Sequence, residues 1–219
     1  MNHSVFPGGA RRRAMTLVEV SVVVAIVAIV LGLILQAMTD TERATNDLDR
    51  GQLLRQEALL IAQAVDKQLR ARVAPGDVGA AATAGMDAEK FAADQLRVCT
   101  LAAGGVSDKL FATIGTVADA DGARRVAIEY GLAGAADKGG RVIPGQNPDK
   151  VQSQITFRYL APPVTGEPQW TDESRAAPAV VEYTIRLWPQ DKRYGDYEAA
   201  RRALGVFGVF EYVSGVALP

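Results

Sequence analysis

The chain has 219 residues, 24 Lys+Arg against 25 Asp+Glu for a net charge of −1, one Cys (Cys99) and one His (His3). The length suits one domain, or one domain plus an appendage. The lone His excludes Ser-His-Asp and Cys-His catalysis and His-based zinc sites, the lone Cys excludes an internal disulfide, and the balanced charge leaves no nucleic-acid footprint. With 48% hydrophobic residues there is material for a core, and nothing in the composition calls for a cofactor, a metal or an enzyme.

Residues 1–14 read MNHSVFPGGARRRA and end in Arg11, Arg12 and Arg13. From Val20 to Thr39 there is no charged residue in 20 positions. As a helix that run spans about 30 Å, the thickness of the hydrocarbon layer. Its Val and Ile content would suit a strand in water, but strands rarely exceed about 10 residues. A helix in lipid satisfies its own backbone. The three arginines are predicted to stay cytoplasmic, with the rest of the chain facing outward. A secretory signal peptide would have a shorter apolar core and an A-x-A-like site, whereas QAMTDTERA follows here. An uncleaved inner-membrane anchor carrying a periplasmic binding or sensor domain explains the arginines and the apolar run.

Neither reading explains Glu19, a carboxylate at the cytoplasmic edge of the apolar run. A carboxylate in such a place is a functional candidate that needs a partner. The string RRRA-MTLVE followed by an uncharged helix resembles the class III signal of type IV pilins and type II secretion pseudopilins. The resemblance implies that a prepilin peptidase cuts between Ala14 and Met15, leaving 219 − 14 = 205 residues, and that the new amine of Met15 is methylated. It also implies that Glu19 pairs with the terminal amine of a neighbouring subunit during assembly. A buried amine charge is tolerable only when paired. Ala14 stands where the family usually has Gly, and Gln36 where it commonly has a helix-bending Pro.

No proline occurs from Met15 to Val73, and Pro75-Gly76 is the first stop signal. The spacing predicts one helix of roughly 60 residues, about 90 Å long. Residues 15–39 are its transmembrane half and residues 40–74 its periplasmic half. Residues 40–52 are polar nearly all round. Beyond them Leu54, Ala58, Ile61, Val65 and Leu69 recur at helical spacing, and Leu53, Leu60 and Ala64 widen the stripe. That width fits burial on a domain better than a coiled-coil seam. Arg43, Arg55, Lys67, Arg70 and Arg72 read as solvated.

Residues 75–219 form the globular part. Residues 75–90 read as a Gly/Ala-rich loop, and Phe91–Leu101 as a short helix. Strands are predicted over 109–118, 123–132, 151–160, 179–188 and, more weakly, 206–218. Their strict alternation implies half-buried strands in an antiparallel sheet with one covered face. The expected fold is α+β, with the distal half of the long helix packed on a sheet of four to five strands.

The segment from Phe157 to Ile185 resembles the C-terminal pattern of J-type minor pseudopilins and W-type minor pilins, with Tyr159, Trp170, Pro178, Val180 and Val181 matching. The resemblance implies a non-enzymatic minor subunit. Its partners would be other minor subunits, the major subunit, the prepilin peptidase and inner-membrane lipid. Some relatives bind calcium in a C-terminal loop. Here Asp119, Asp121 and Gly122 read as a hairpin turn, Cys99 as a small buried residue, and Trp170 and Trp188 as packing residues, with a partner contact open for Trp170. Glu198, Arg201 and Arg202 read as a solvated helix face.

Overall fold

The computed structural model describes residues 16–73, 89–100, 111–119, 122–131, 138–147, 149–161, 168–174, 177–191 and 193–218. The chain divides into two compact units, Met1–Asn46 and Asp47–Pro219. A single helix, α1, runs Leu17–Arg70.

In the first unit the large apolar side chains from Leu17 to Met38 are 46–84% exposed. Among the described residues of this unit nothing covers them, which fits a membrane anchor. The hydroxyls in and just beyond the apolar run do not need water. Ser21 donates to Leu17 O at 2.8 Å, Thr39 to Leu35 O at 2.6 Å and Thr41 to Ala37 O at 2.7 Å.

In the second unit the predicted stripe is the buried one. Leu54, Ala58, Ile61, Ala62, Val65 and Leu69 are 0–3% exposed. The helix ends three residues before Val73 because strand-type contacts capture the chain. Arg72 bridges Thr100, and Val73 N–H donates to Cys99 O at 3.0 Å.

Among the described residues nine antiparallel strands follow: β1 Lys90–Phe91, β2 Gln95–Cys99, β3 Phe111–Ala118, β4 Arg124–Gly131, β5 Lys138–Val142, β6 Val151–Ala161, β7 Gln169–Thr171, β8 Val180–Pro189 and β9 Phe210–Ala217. They form two sheets rather than the expected one, in the orders β1-β2-β3-β4-β5 and β7-β6-β8-β9. The predicted short helix over Phe91–Leu101 is corrected to β1 and β2; Leu101 lies outside the described residues. Leu96 and Val98 alternate inward at 0% exposed. Pairing of β2 with β3, Leu96 opposite Ile114 and Val98 opposite Ala112, supplies the hydrogen bonds that a five-residue helix would lack. Most of the loop predicted over 75–90 lies outside the described residues, and Lys90 belongs to β1.

Side chains stitch the two sheets together. The Thr116 hydroxyl accepts the Ile155 N–H at 3.0 Å, Ser153 Oγ accepts the Val126 N–H at 2.9 Å, and Gln152 Oε1 accepts the Arg124 N–H at 3.2 Å. Phe157 N–H donates to Ala93 O at 2.8 Å, and Ser174 bridges Phe91. One apolar core results, with α1 residues 54–69 against β2, β3, β4, β6 and β8. Phe157, Tyr159 and Phe91 form its aromatic centre, with centroid spacings of 6.5 and 5.6 Å.

A second helix, α2, spans Tyr197–Leu204. Asp196 caps it by accepting the Ala199 N–H at 2.7 Å, and Gly205 ends it at φ +71°. Its inner residues Tyr197 and Ala200 pack on Trp188 and Val209, while Glu198, Arg201 and Arg202 are exposed as expected.

Candidate assembly site at the head of the long helix

Ala14, Met15 and the three arginines lie outside the described residues. The site that can be described begins at Thr16. Thr16 stands just before the first helical residue, and Glu19 is three residues on, in the first turn. The two form a reciprocal capping box. Thr16 N–H and Oγ1 donate to Glu19 Oε2 at 2.8 and 3.1 Å, and Glu19 N–H donates to Thr16 Oγ1 at 3.3 Å. Free N–H groups and the helix dipole both favour a negative charge here. The carboxylate therefore has an internal resting place, although among the described residues no cation pairs with it.

The prokaryotic N-terminal methylation motif matches residues 9–35. The matched stretch contains Ala14, Met15, Thr16 and Glu19 and runs into the uncharged helix. The N-terminus thus carries a methylation motif over the stretch that the sequence singled out. No curated protein and no solved structure matches the chain.

Among the described residues three polar contacts fix the distal half of α1 and a fourth holds the chain just beyond it, and sequence reasoning missed all four. Glu57 is 3% exposed on the apolar side of the helix. Its carboxylate accepts the N–H groups of Gln146 at 3.0 Å and Asn147 at 2.8 Å, and Asn147 Nδ2 at 3.0 Å. The loop comes this close because Gly145 adopts φ +129°, where an added Cβ would collide with the Glu57 carboxylate. Tyr183 Oη donates to Asp66 Oδ1 at 2.6 Å, and Gln68 Nε2 donates to Tyr130 Oη at 3.0 Å. Arg72, read as solvated, is instead buried and grips Glu89 with two bonds of 2.9 and 2.8 Å. Each was hidden for the same reason. A single polar or charged residue beside an apolar stripe looks solvated until its partner, 17 to 117 positions away, is known. Arg43, Arg55, Lys67 and Arg70 are exposed as expected.

The remaining singled-out residues resolve as follows. Gly122, at φ +78°, donates its N–H to Asp119 O at 2.9 Å, and Asp119 N–H donates to Ala123 O at 2.9 Å. That is the turn between β3 and β4, with Asp121 outside the described residues. The Asp119 carboxylate is taken by Arg125. Among the described residues no group of three or more His, Cys, Asp or Glu could hold a metal. Cys99 is buried, and burial pushes its thiol pKa up, with the nearby Glu89 carboxylate acting in the same sense. Trp188 is buried as a packing residue. Trp170 is not; it is 41% exposed on β7, under the Arg158 guanidinium at 5.9 Å.

Proposed function

We propose that this chain is a non-enzymatic minor pilin-like or pseudopilin subunit that joins a type II secretion pseudopilus or a type IV pilus, at its tip or priming complex. Prepilin peptidase cuts between Ala14 and Met15, and the new Met15 amine is methylated. The subunit then waits in the inner membrane with its globular part in the periplasm. The observation that carries the reading is Glu19 in a capping box at the head of a charge-free helix, inside the matched methylation motif. In the waiting subunit Thr16 holds the carboxylate. In the filament the Met15 amine of an adjacent subunit replaces Thr16, exchanging neutral donors for a charge-assisted bond that is the stronger of the two in a boundary of low dielectric. Other minor subunits and the major subunit are the partners. The J- or W-type assignment rests on the sequence pattern from Phe157 to Ile185, with Tyr159, Trp170, Pro178, Val180 and Val181.

Mass spectrometry of the protein from a host with its prepilin peptidase tests the reading. The expected product starts at methylated Met15. A chain still starting at Met1 in such a host refutes the proposal and leaves an uncleaved anchored periplasmic binding or sensor domain.

A further inference from the structure

Sheet edges offer unpaired backbone groups, and proteins usually blunt them. Among the described residues three edges of this domain are blunted. β1 and β7 are two and three residues long, and the Phe91–Ser174 bridge ties β1 to the segment just after β7. β5 carries Lys138 and Arg141, and its pairing shifts register between Glu129 and Gly131. The fourth edge, β9, has none of these devices. It is eight residues long, reads FEYVSGVA with no Lys, Arg or Pro, and among the described residues pairs with β8 alone.

The direction of its backbone groups follows from the register. Leu218 N–H donates to Ala179 O at 3.0 Å, in step with Val216 opposite Val181 and Ser214 opposite Tyr183. Hydrogen-bonding direction alternates every residue along an antiparallel strand. Phe210, Tyr212, Ser214 and Val216 therefore turn their N–H and C=O groups to β8. Glu211, Val213, Gly215 and Ala217 turn theirs to the open edge. On the core-side face Phe210, Tyr212 and Leu218 sit in a row, packed on the core yet only partly covered. On the other face Glu211 is already paired with Arg186 at 3.1 Å, and Val213 is 56% exposed.

We infer that β9 is a strand-docking edge, where an extended segment of a neighbouring filament subunit adds a fifth strand to the β7-β6-β8-β9 sheet. The chemistry of the occupant follows from the edge. An extended backbone answers the four outward N–H and C=O pairs. Apolar side chains at every second position cover Phe210, Tyr212 and Leu218. The intervening positions are small and neutral, because the Arg186–Glu211 pair needs no further charge. The inference rests on the filament reading of the preceding subsection.

The test is Val213→Pro in the full chain, beside Ser214→Pro and Glu19→Ala. Proline at 213 removes an outward N–H and is tolerated on an edge, whereas proline at 214 removes a ladder bond to β8. Val213→Pro is expected to keep processing, membrane insertion and unfolding temperature, and to lose incorporation into filaments. Ser214→Pro is expected to lower the unfolding temperature. Amide exchange supplies a readout on wild type. The N–H groups of Val213, Gly215 and Ala217 should exchange quickly in the detergent-solubilised subunit and slow about 100-fold or more in the filament. Normal incorporation of Val213→Pro, or equally fast exchange in the filament, overturns the inference. If Glu19→Ala also incorporates normally, the filament reading has failed as well; if only Glu19→Ala is excluded, that reading stands without the docking edge. A dimer of the isolated subunit that Val213→Pro dissolves assigns the edge to a second copy and overturns the inference too.

Discussion

Truncating Glu57 to Ala should be among the most damaging single changes in the globular domain, although the residue is charged and sits on a helix. Its carboxylate holds three N–H donors of the loop between β5 and β6, at 3.0, 2.8 and 3.0 Å. Hydrogen bonds to a charged group contribute about 1.5–3 kcal/mol each. Gln146 is exposed and Asn147 half-buried, so water recovers part of what those donors lose. A net cost of about 3 kcal/mol is the expected outcome, against about 5–15 for a whole domain. At roughly 2–4 °C per kcal/mol for a chain of this size, the midpoint should drop by about 6–12 °C. The assay is thermal unfolding of the full chain in detergent, followed by circular dichroism. Gly145→Ala provides a coupled check. Alone it should destabilise, through its positive φ and the collision with the carboxylate. In the Glu57→Ala background the collision is gone, so the two costs should sum to less than their separate values. A midpoint for Glu57→Ala within about 2 °C of wild type, or strict additivity with Gly145→Ala, would refute the latch.

Glu19→Ala should be inserted and cut normally and yet be nearly absent from filaments, as read by comparing membrane and filament fractions on immunoblots; Thr16→Ala, which spares the carboxylate, should be much milder. Tyr159 and Tyr183 are buried, and burial raises both hydroxyl pKa values well above the ordinary range, with Asp94 and Asp66 adding to the rise. A group raised in the folded state contributes stability that is complete below its unfolded pKa and is lost as pH climbs beyond it. Urea unfolding should therefore show constant stability up to about pH 10 and a decline above it, at up to about 1.4 kcal/mol per pH unit for each tyrosine. Tyr159→Phe should flatten that decline, and an unchanged slope would count against this cause. Cys99 should resist alkylation in the folded chain and react promptly in urea, because burial both shields its thiol and raises its pKa; rapid labelling of the native protein would contradict its placement at 0% exposure.

The strong periodic signals carried through from sequence to structure because each depends on local chemistry. Twenty uncharged positions from Val20 to Thr39 and the absence of proline make α1 a helix whatever it touches. The spacing of Leu54, Ala58, Ile61, Val65 and Leu69 marks its buried side. Alternation in β6 and β8 places Phe157 and Ile185 inward, whereas β4 departs from it, with Arg125 and Ala127 buried as well as Val126 and Ile128. The capping box was also written locally, in Thr16 and Glu19 at a three-residue spacing, although only the fold displays it as a closed pair. The tertiary structure decided what depends on distant partners. QLRVC becomes a strand because Phe111–Ala118 lies beside it. The described strands divide into two sheets where the Thr116, Ser153 and Gln152 side chains take backbone bonds in place of the ladder. Glu57 and Arg72 turn inward because Gly145–Asn147 and Glu89 come to meet them, and an ionised side chain is buried only where such partners exist.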